Sequence, residues 1–130
     1  MNICGSSDLV LKSTNNIYIK GNVNYSKAIE MEENSDVLVC ICNNRGTQIP
    51  GKVYYCTGYN KPIIIILDGE YKKELKNYFE SFNRFIICYN EENSIKEAME
   101  IAKSKVNIDK FNISQKLSPI YLAKKIIDNV

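Results

Sequence analysis

Val37-Leu38-Val39-Cys40-Ile41-Cys42 is apolar at every position, as expected of an interior strand covered by helices on both faces. It breaks at Asn43-Asn44-Arg45-Gly46. After Ile49 the chain continues Pro50-Gly51-Lys52-Val53-Tyr54-Tyr55, where Pro50 suits the first turn of a short helix that Gly58 and Asn60 would end. Lys61-Pro62 then leads into Ile63-Ile64-Ile65-Ile66-Leu67, the most β-branched run in the chain and a second interior strand. Two buried strands joined by a helix on short links form a parallel unit.

The same alternation extends in both directions. Upstream, Asn2-Ile3-Cys4 and Ile17-Tyr18-Ile19-Lys20 are short strands, each stopping at a glycine, and Ser26 offers an N-cap to a helix through Ala28, Ile29 and Met31 that Asn34-Ser35 ends. Downstream, Asp68-Gly69 closes the Ile63–Leu67 strand. Leu75, Tyr78, Phe79 and Phe82 have the spacing of a helix with one buried face. Phe85-Ile86-Ile87-Cys88 is the last strand. Ser94 is placed to cap a helix with Ile95, Ala98, Met99 and Ala102 along one side, and Ser118-Pro119 opens a final helix with Ile120, Ala123, Ile126 and Ile127 in line.

Composition narrows the chemistry. The 130 residues suffice for one core without disulfides or metals. With no histidine there is no His-based triad, no His-built zinc site and no imidazole base. The five cysteines, Cys4, Cys40, Cys42, Cys56 and Cys88, sit in apolar contexts and read as reduced thiols. Cys40 and Cys42 share a strand face and do not make the tight turn of a redox or zinc pair. No metal site is expected. A net charge of +2 on scattered lysines does not point to nucleic acid. The longest apolar run is too short to span a bilayer and the amino terminus does not resemble a signal peptide, so the expected location is the cytoplasm.

In an open parallel sheet, ligands bind at the carboxyl ends of the strands beside helix starts. Four loops qualify: Gly5-Ser6-Ser7, Gly21-Asn22-Val23, Asn43 to Pro50, and Asp68-Gly69-Glu70. The third is richest, because a helix starting near Pro50 aims its N–H groups outward, Gly51 lets an anion approach, and Lys52 adds charge. Gly51 could equally be small for close packing, with Lys52 simply exposed. Gly5 lacks the spacing of a dinucleotide loop and reads as a turn. Asp68 could bind a sugar hydroxyl or a metal, yet a turn aspartate fits it better. Tyr54 reads as core, and Tyr55 is open between core and stacking.

The ordered series Asp36 to Cys42, Pro50-Gly51-Lys52, Lys61-Pro62 and Ile63 to Leu67 resembles the carboxyl-terminal domain of GT-B-fold glycosyltransferases of the group 1, retaining type. Asn2-Ile3-Cys4-Gly5 and Asn16 to Tyr25 upstream, with the Ser94 to Ser104 helix and the tail from Phe111 downstream, fit the same pattern, so nearly the whole chain is covered. The resemblance implies a Rossmann-like three-layer α/β/α fold with a mostly parallel sheet of about five strands, half of a GT-B fold. Residues 1–105 would form that domain, and residues 106–130 a tail and helix packing on it or on a partner domain.

By position the resemblance places Gly21, Asn22 and Val23 near the base of a UDP- or GDP-sugar, and Thr47, Gln48, Pro50, Gly51, Lys52 and Tyr55 near its sugar, diphosphate and ribose. It implies glycosyl transfer in polysaccharide or glycoconjugate synthesis, with the nucleotide sugar as substrate, no cofactor and no metal. Two glutamates expected around the helix are replaced by Thr47 and Tyr55, and no catalytic residue is assigned. The match begins at the family domain's second strand, so the expectation is a truncated domain, inactive alone. A separate amino-terminal glycosyltransferase half, or a second copy of this chain, would cover the exposed sheet strand. Its place would be cytoplasmic, extending to the inner face of the membrane. An α/β interaction or regulatory module that has lost donor binding is the alternative.

Overall fold

The structure, a computed structural model, describes residues 1–5, 10–107, 110–111 and 115–128. It is α/β, and the strand pairs among the described residues are parallel. The chain divides into two compact units, Met1–Ser35 and Asp36–Val130.

In the first unit, β1 (Asn2–Cys4) pairs with β2 (Tyr18–Lys20), Ile3 opposite Ile19. Helix α1 (Tyr25–Glu33) follows. Its N-cap is Asn24, whose side chain accepts from the Lys27 N–H at 2.9 Å. Ser26, the expected cap, instead lies inside the first turn and donates its hydroxyl to the same Asn24 oxygen. Asn and Ser both cap helices, and the residue nearer the turn wins here.

The second unit is built on a sheet ordered β3 (Leu38–Ile41), β4 (Ile63–Leu67), β5 (Ile86–Tyr89). Between them run α2 (Gly51–Cys56) and α3 (Lys72–Glu80), and after β5 comes α4 (Glu92–Lys105). A 3₁₀ turn (Gln115–Leu117) and α5 (Pro119–Ile127) follow. Central β4 is buried along its whole length. Ile63, Ile65 and Leu67 pack with Val53 and Cys56 of α2 and Leu75 and Phe79 of α3, while Ile64 and Ile66 pack with Ala98 and Ala102 of α4 on the other face. Each isoleucine so buried contributes about 2 kcal/mol of transfer free energy.

Three local expectations are corrected. β3 is an edge of this sheet, and Val39 and Ile41 stand 39% and 65% exposed, so its second face is not covered as an interior strand's would be. Tyr54 is 37% exposed and bonds hydroxyl to hydroxyl with Tyr78 at 2.9 Å, because Val53 and Cys56 occupy the inward side of α2. Ser94 does not cap α4. Its hydroxyl accepts from the Tyr89 N–H at 3.0 Å and ties the helix back to the end of β5, and Glu91 holds the cap position. Among the described residues no helix is long and apolar enough to cross a membrane.

Candidate functional site

Parallel pairing puts the loops after β3, β4 and β5 at one edge of the second unit's sheet. The strand register then decides which loop residues meet. Leu67 is opposite Tyr89, so the next residues, Asp68 and Asn90, emerge side by side. Asn90 Nδ2 donates to Asp68 Oδ2 at 3.0 Å, and the Gly69 N–H donates to Asp68 Oδ1 at 2.7 Å. With the Asn90 amide first, then the Gly69 N–H and the charge of Lys72, the Asp68 carboxyl is held below its ordinary value and ionised. Gly69 has φ of +77° and lies against the Asn44 backbone in the loop after β3. The three loops are thereby fastened to one another.

Lys72, at the start of α3, lies 3.5 Å from a Glu91 carboxylate oxygen and 4.9 Å from the centre of the Tyr89 ring. The pair is exposed enough that its Coulomb gain is small, and its effect is to keep a charged rim along this edge.

The loop after β3 and the helix α2 that follows it together carry six of the nine predicted positions. Asn43 Nδ2 donates to the Gln48 carbonyl at 3.3 Å and closes the loop across its width, with Thr47 and Gln48 exposed. Pro50 is the N-cap of α2, one position before the first turn, with φ of −58°. A Cβ on Gly51 would meet nothing within 4 Å and the residue is exposed, so close packing does not explain the glycine. Lys52 and Tyr55 are both exposed and lie together, the ammonium 4.6 Å from the ring centre. Tyr55 also meets Tyr59 edge to face at 6.1 Å. The loop, the helix start and the Lys52–Tyr55 pair therefore lie on one short stretch of surface.

Gly21, Asn22 and Val23 belong to the other unit, directly after β2. Gly21 and Asn22 are exposed, Val23 is half-buried, and the Gly21 carbonyl accepts from the Gly5 N–H at 3.4 Å. Ser6 and Ser7 of the first candidate loop lie outside the described residues.

What the carboxyl edge can do chemically follows from these groups. An ammonium beside an aromatic ring, with an exposed glycine at the start of α2, suits a phosphate next to a flat ring, and amides and an ionised Asp68 suit hydroxyl groups. Among the described residues no group of three His, Cys, Asp or Glu could hold a metal ion. The Asp68–Asn90 link escapes sequence reading because its partners are 22 residues apart, although pairing the two apolar strands end to end would have brought them into line. Compared with family models, curated proteins and solved structures, the chain matches none.

Proposed function

We propose that this chain is a glycosyltransferase-like donor-side domain, corresponding to the Rossmann-like, three-layer half of a GT-B fold with about five strands. It would take a UDP- or GDP-sugar at the carboxyl edge of its parallel strands, for glycosyl transfer in polysaccharide or glycoconjugate synthesis in the cytoplasm. The observation that carries the reading is the loop from Asn43 to Pro50 leading into α2, with Gly51 exposed at the helix start and the Lys52 ammonium over the Tyr55 ring at 4.6 Å. Phosphate fits the first two, and a base or sugar ring fits beside the third.

Thr47 and Tyr55 stand where the resemblance expects glutamates, so the ribose hydroxyls lose their acceptor and the chain alone is inactive. The reading includes a separate amino-terminal half, or a second copy of this chain, as the partner that covers β3. The exposed Val39 and Ile41 support that element of it. They equally support a second reading, in which the chain is a non-catalytic interaction module whose partner docks on β3 and whose donor site is vestigial.

Calorimetry and thermal melting with UDP and GDP separate the two readings. The donor reading expects one nucleotide to raise the melting temperature, and Lys52→Ala to remove the shift while leaving the unliganded melt unchanged. If neither nucleotide binds, alone or with the product of the adjacent reading frame added, the donor reading fails and the interaction reading stands.

A further inference from the structure

Charge is unevenly spread along the chain. Residues 1–102 carry 11 Lys and Arg against 13 Asp and Glu, while residues 103–130 carry 6 Lys against 2 Asp, so the first part stands at −2 and the second at +4. The basic stretch leads into α5, whose last turn holds Lys124 and Lys125. Ile120, Ile126 and Ile127 of this helix are 70%, 68% and 71% exposed, and Ala123 between them is exposed as well. At the pitch of an α-helix these four residues fall within roughly a third of its circumference, with Lys124 at the border of that arc and Lys125 beyond it.

A face of three isoleucines in water is costly, and the neighbouring charge decides what relieves it. A nucleic acid would pair with the lysines and leave the isoleucines in water. A neutral apolar surface would bury the isoleucines and give the basic stretch no counter-charge. A bilayer surface containing anionic phospholipid does both at once: the apolar arc sinks to the level of the acyl chains, Lys124 at its border reaches the headgroup phosphates, and the rest of the basic stretch meets the anionic surface. From the exposed isoleucines and the concentrated charge, we propose that α5 is an interfacial anchor that lays its Ile120–Ile127 face on an anionic lipid surface. The inference stands apart from the donor reading and does not depend on nucleotide binding.

The test is sedimentation of the full chain with vesicles of phosphatidylcholine alone and of phosphatidylcholine with phosphatidylglycerol. Binding is expected only with phosphatidylglycerol present, and salt sufficient to screen the surface should release the protein. Ile120→Ser with Ile127→Ser, and separately Lys124→Glu with Lys125→Glu, should each lower binding at least about tenfold without altering the melting curve. Because the chain has no tryptophan, Ile127→Trp supplies a single reporter whose emission should shift to the blue on the same vesicles. No binding to the anionic vesicles, binding that survives either double substitution, or an unshifted Trp emission overturns the proposal. So does a solution dimer that the isoleucine substitutions dissolve.

Discussion

Gly69 lies directly against Asn44, so that a Cβ on Gly69 would collide with the Asn44 backbone, and its φ of +77° is one that side chains resist. The contact brings the loop after β4 onto the loop after β3, and it separates three glycines of the carboxyl edge by physical cause. Gly69→Ala meets both the clash and the backbone strain and should cost at least about 2 kcal/mol. Gly69→Asn relieves the strain and not the clash, so it should not rescue. Gly46 has φ of +70° with nothing nearby, and Gly46→Asn should be close to neutral. Gly51→Ala should be neutral for stability. Urea unfolding of the four variants checks the order; a Gly69→Asn protein as stable as the parent would show that the contact with Asn44 is not what requires glycine.

The Asp68 carboxyl makes a pH-dependent contribution whose sign follows from its depressed value. Its two hydrogen bonds, from Asn90 Nδ2 and from the Gly69 N–H, favour the ionised form in the folded chain. The unfolded chain binds the proton more readily, so the stabilisation is fully present above the ordinary value of 3.8 and is lost as the pH falls through the lower folded value. Asp68→Asn should therefore be less stable than the parent at neutral pH, and the two should converge in acid. Denaturation curves recorded at neutral pH and at about pH 3 measure the difference. A gap that widens in acid would contradict the assignment.

Much of this fold is legible in residue order. The alternation of apolar runs with helical spacing gives parallel strands and makes β4 an interior strand, because only a strand covered on both faces tolerates Ile63 to Leu67 without a polar residue. The same rule fails for β3, where Val39 and Ile41 are exposed. An apolar face announces that something should cover it, and not what does. Helix starts are blurred for a similar reason, since Asn24 and Ser26 are both good caps and local pattern cannot rank them. At the candidate site, the Pro50-Gly51-Lys52 loop is visible as a string. The meetings that shape the edge, Asp68 with Asn90 and Gly69 with Asn44, depend on strand register and close approach that no short window of sequence contains.

At the opposite edge of the sheet, Arg84 is 6% exposed and donates from Nη2 to the carbonyls of Tyr59 at 2.7 Å and Lys61 at 3.1 Å. It ties the turn after α2 to the start of β5, and Phe111 covers its guanidinium at 5.0 Å while the Phe111 N–H donates to Asn60. Nε and Nη1 are buried without acceptors, so the charge is only partly compensated. Arg84→Ala removes the bonds and the packing together and should cost about 2–4 kcal/mol. Arg84→Met keeps much of the volume and removes the uncompensated charge, so it should cost distinctly less. Equal losses in urea unfolding would mean that the two carbonyl bonds alone account for the residue.

The cysteines divide by burial into one that reagents can reach and four that they cannot. Cys4 is exposed, whereas Cys40, Cys42, Cys56 and Cys88 are buried, Cys40 and Cys56 with their sulfurs 3.9 Å apart across β3 and α2. The hydrogen bond to Cys56 and then burial push the Cys40 thiol well above its ordinary value, and burial alone raises Cys42 and Cys88. Thiols held neutral and out of water are poor nucleophiles. Alkylation of the native chain near neutral pH should therefore add one label quickly, at Cys4, and the remaining four only at the rate at which the core opens. Mass spectrometry over time reads this directly, and urea should merge the two phases. Fast native labelling of Cys40 or Cys56 would mean that α2 separates from β3 far more readily than the packing of Val53 and Cys56 against β4 allows.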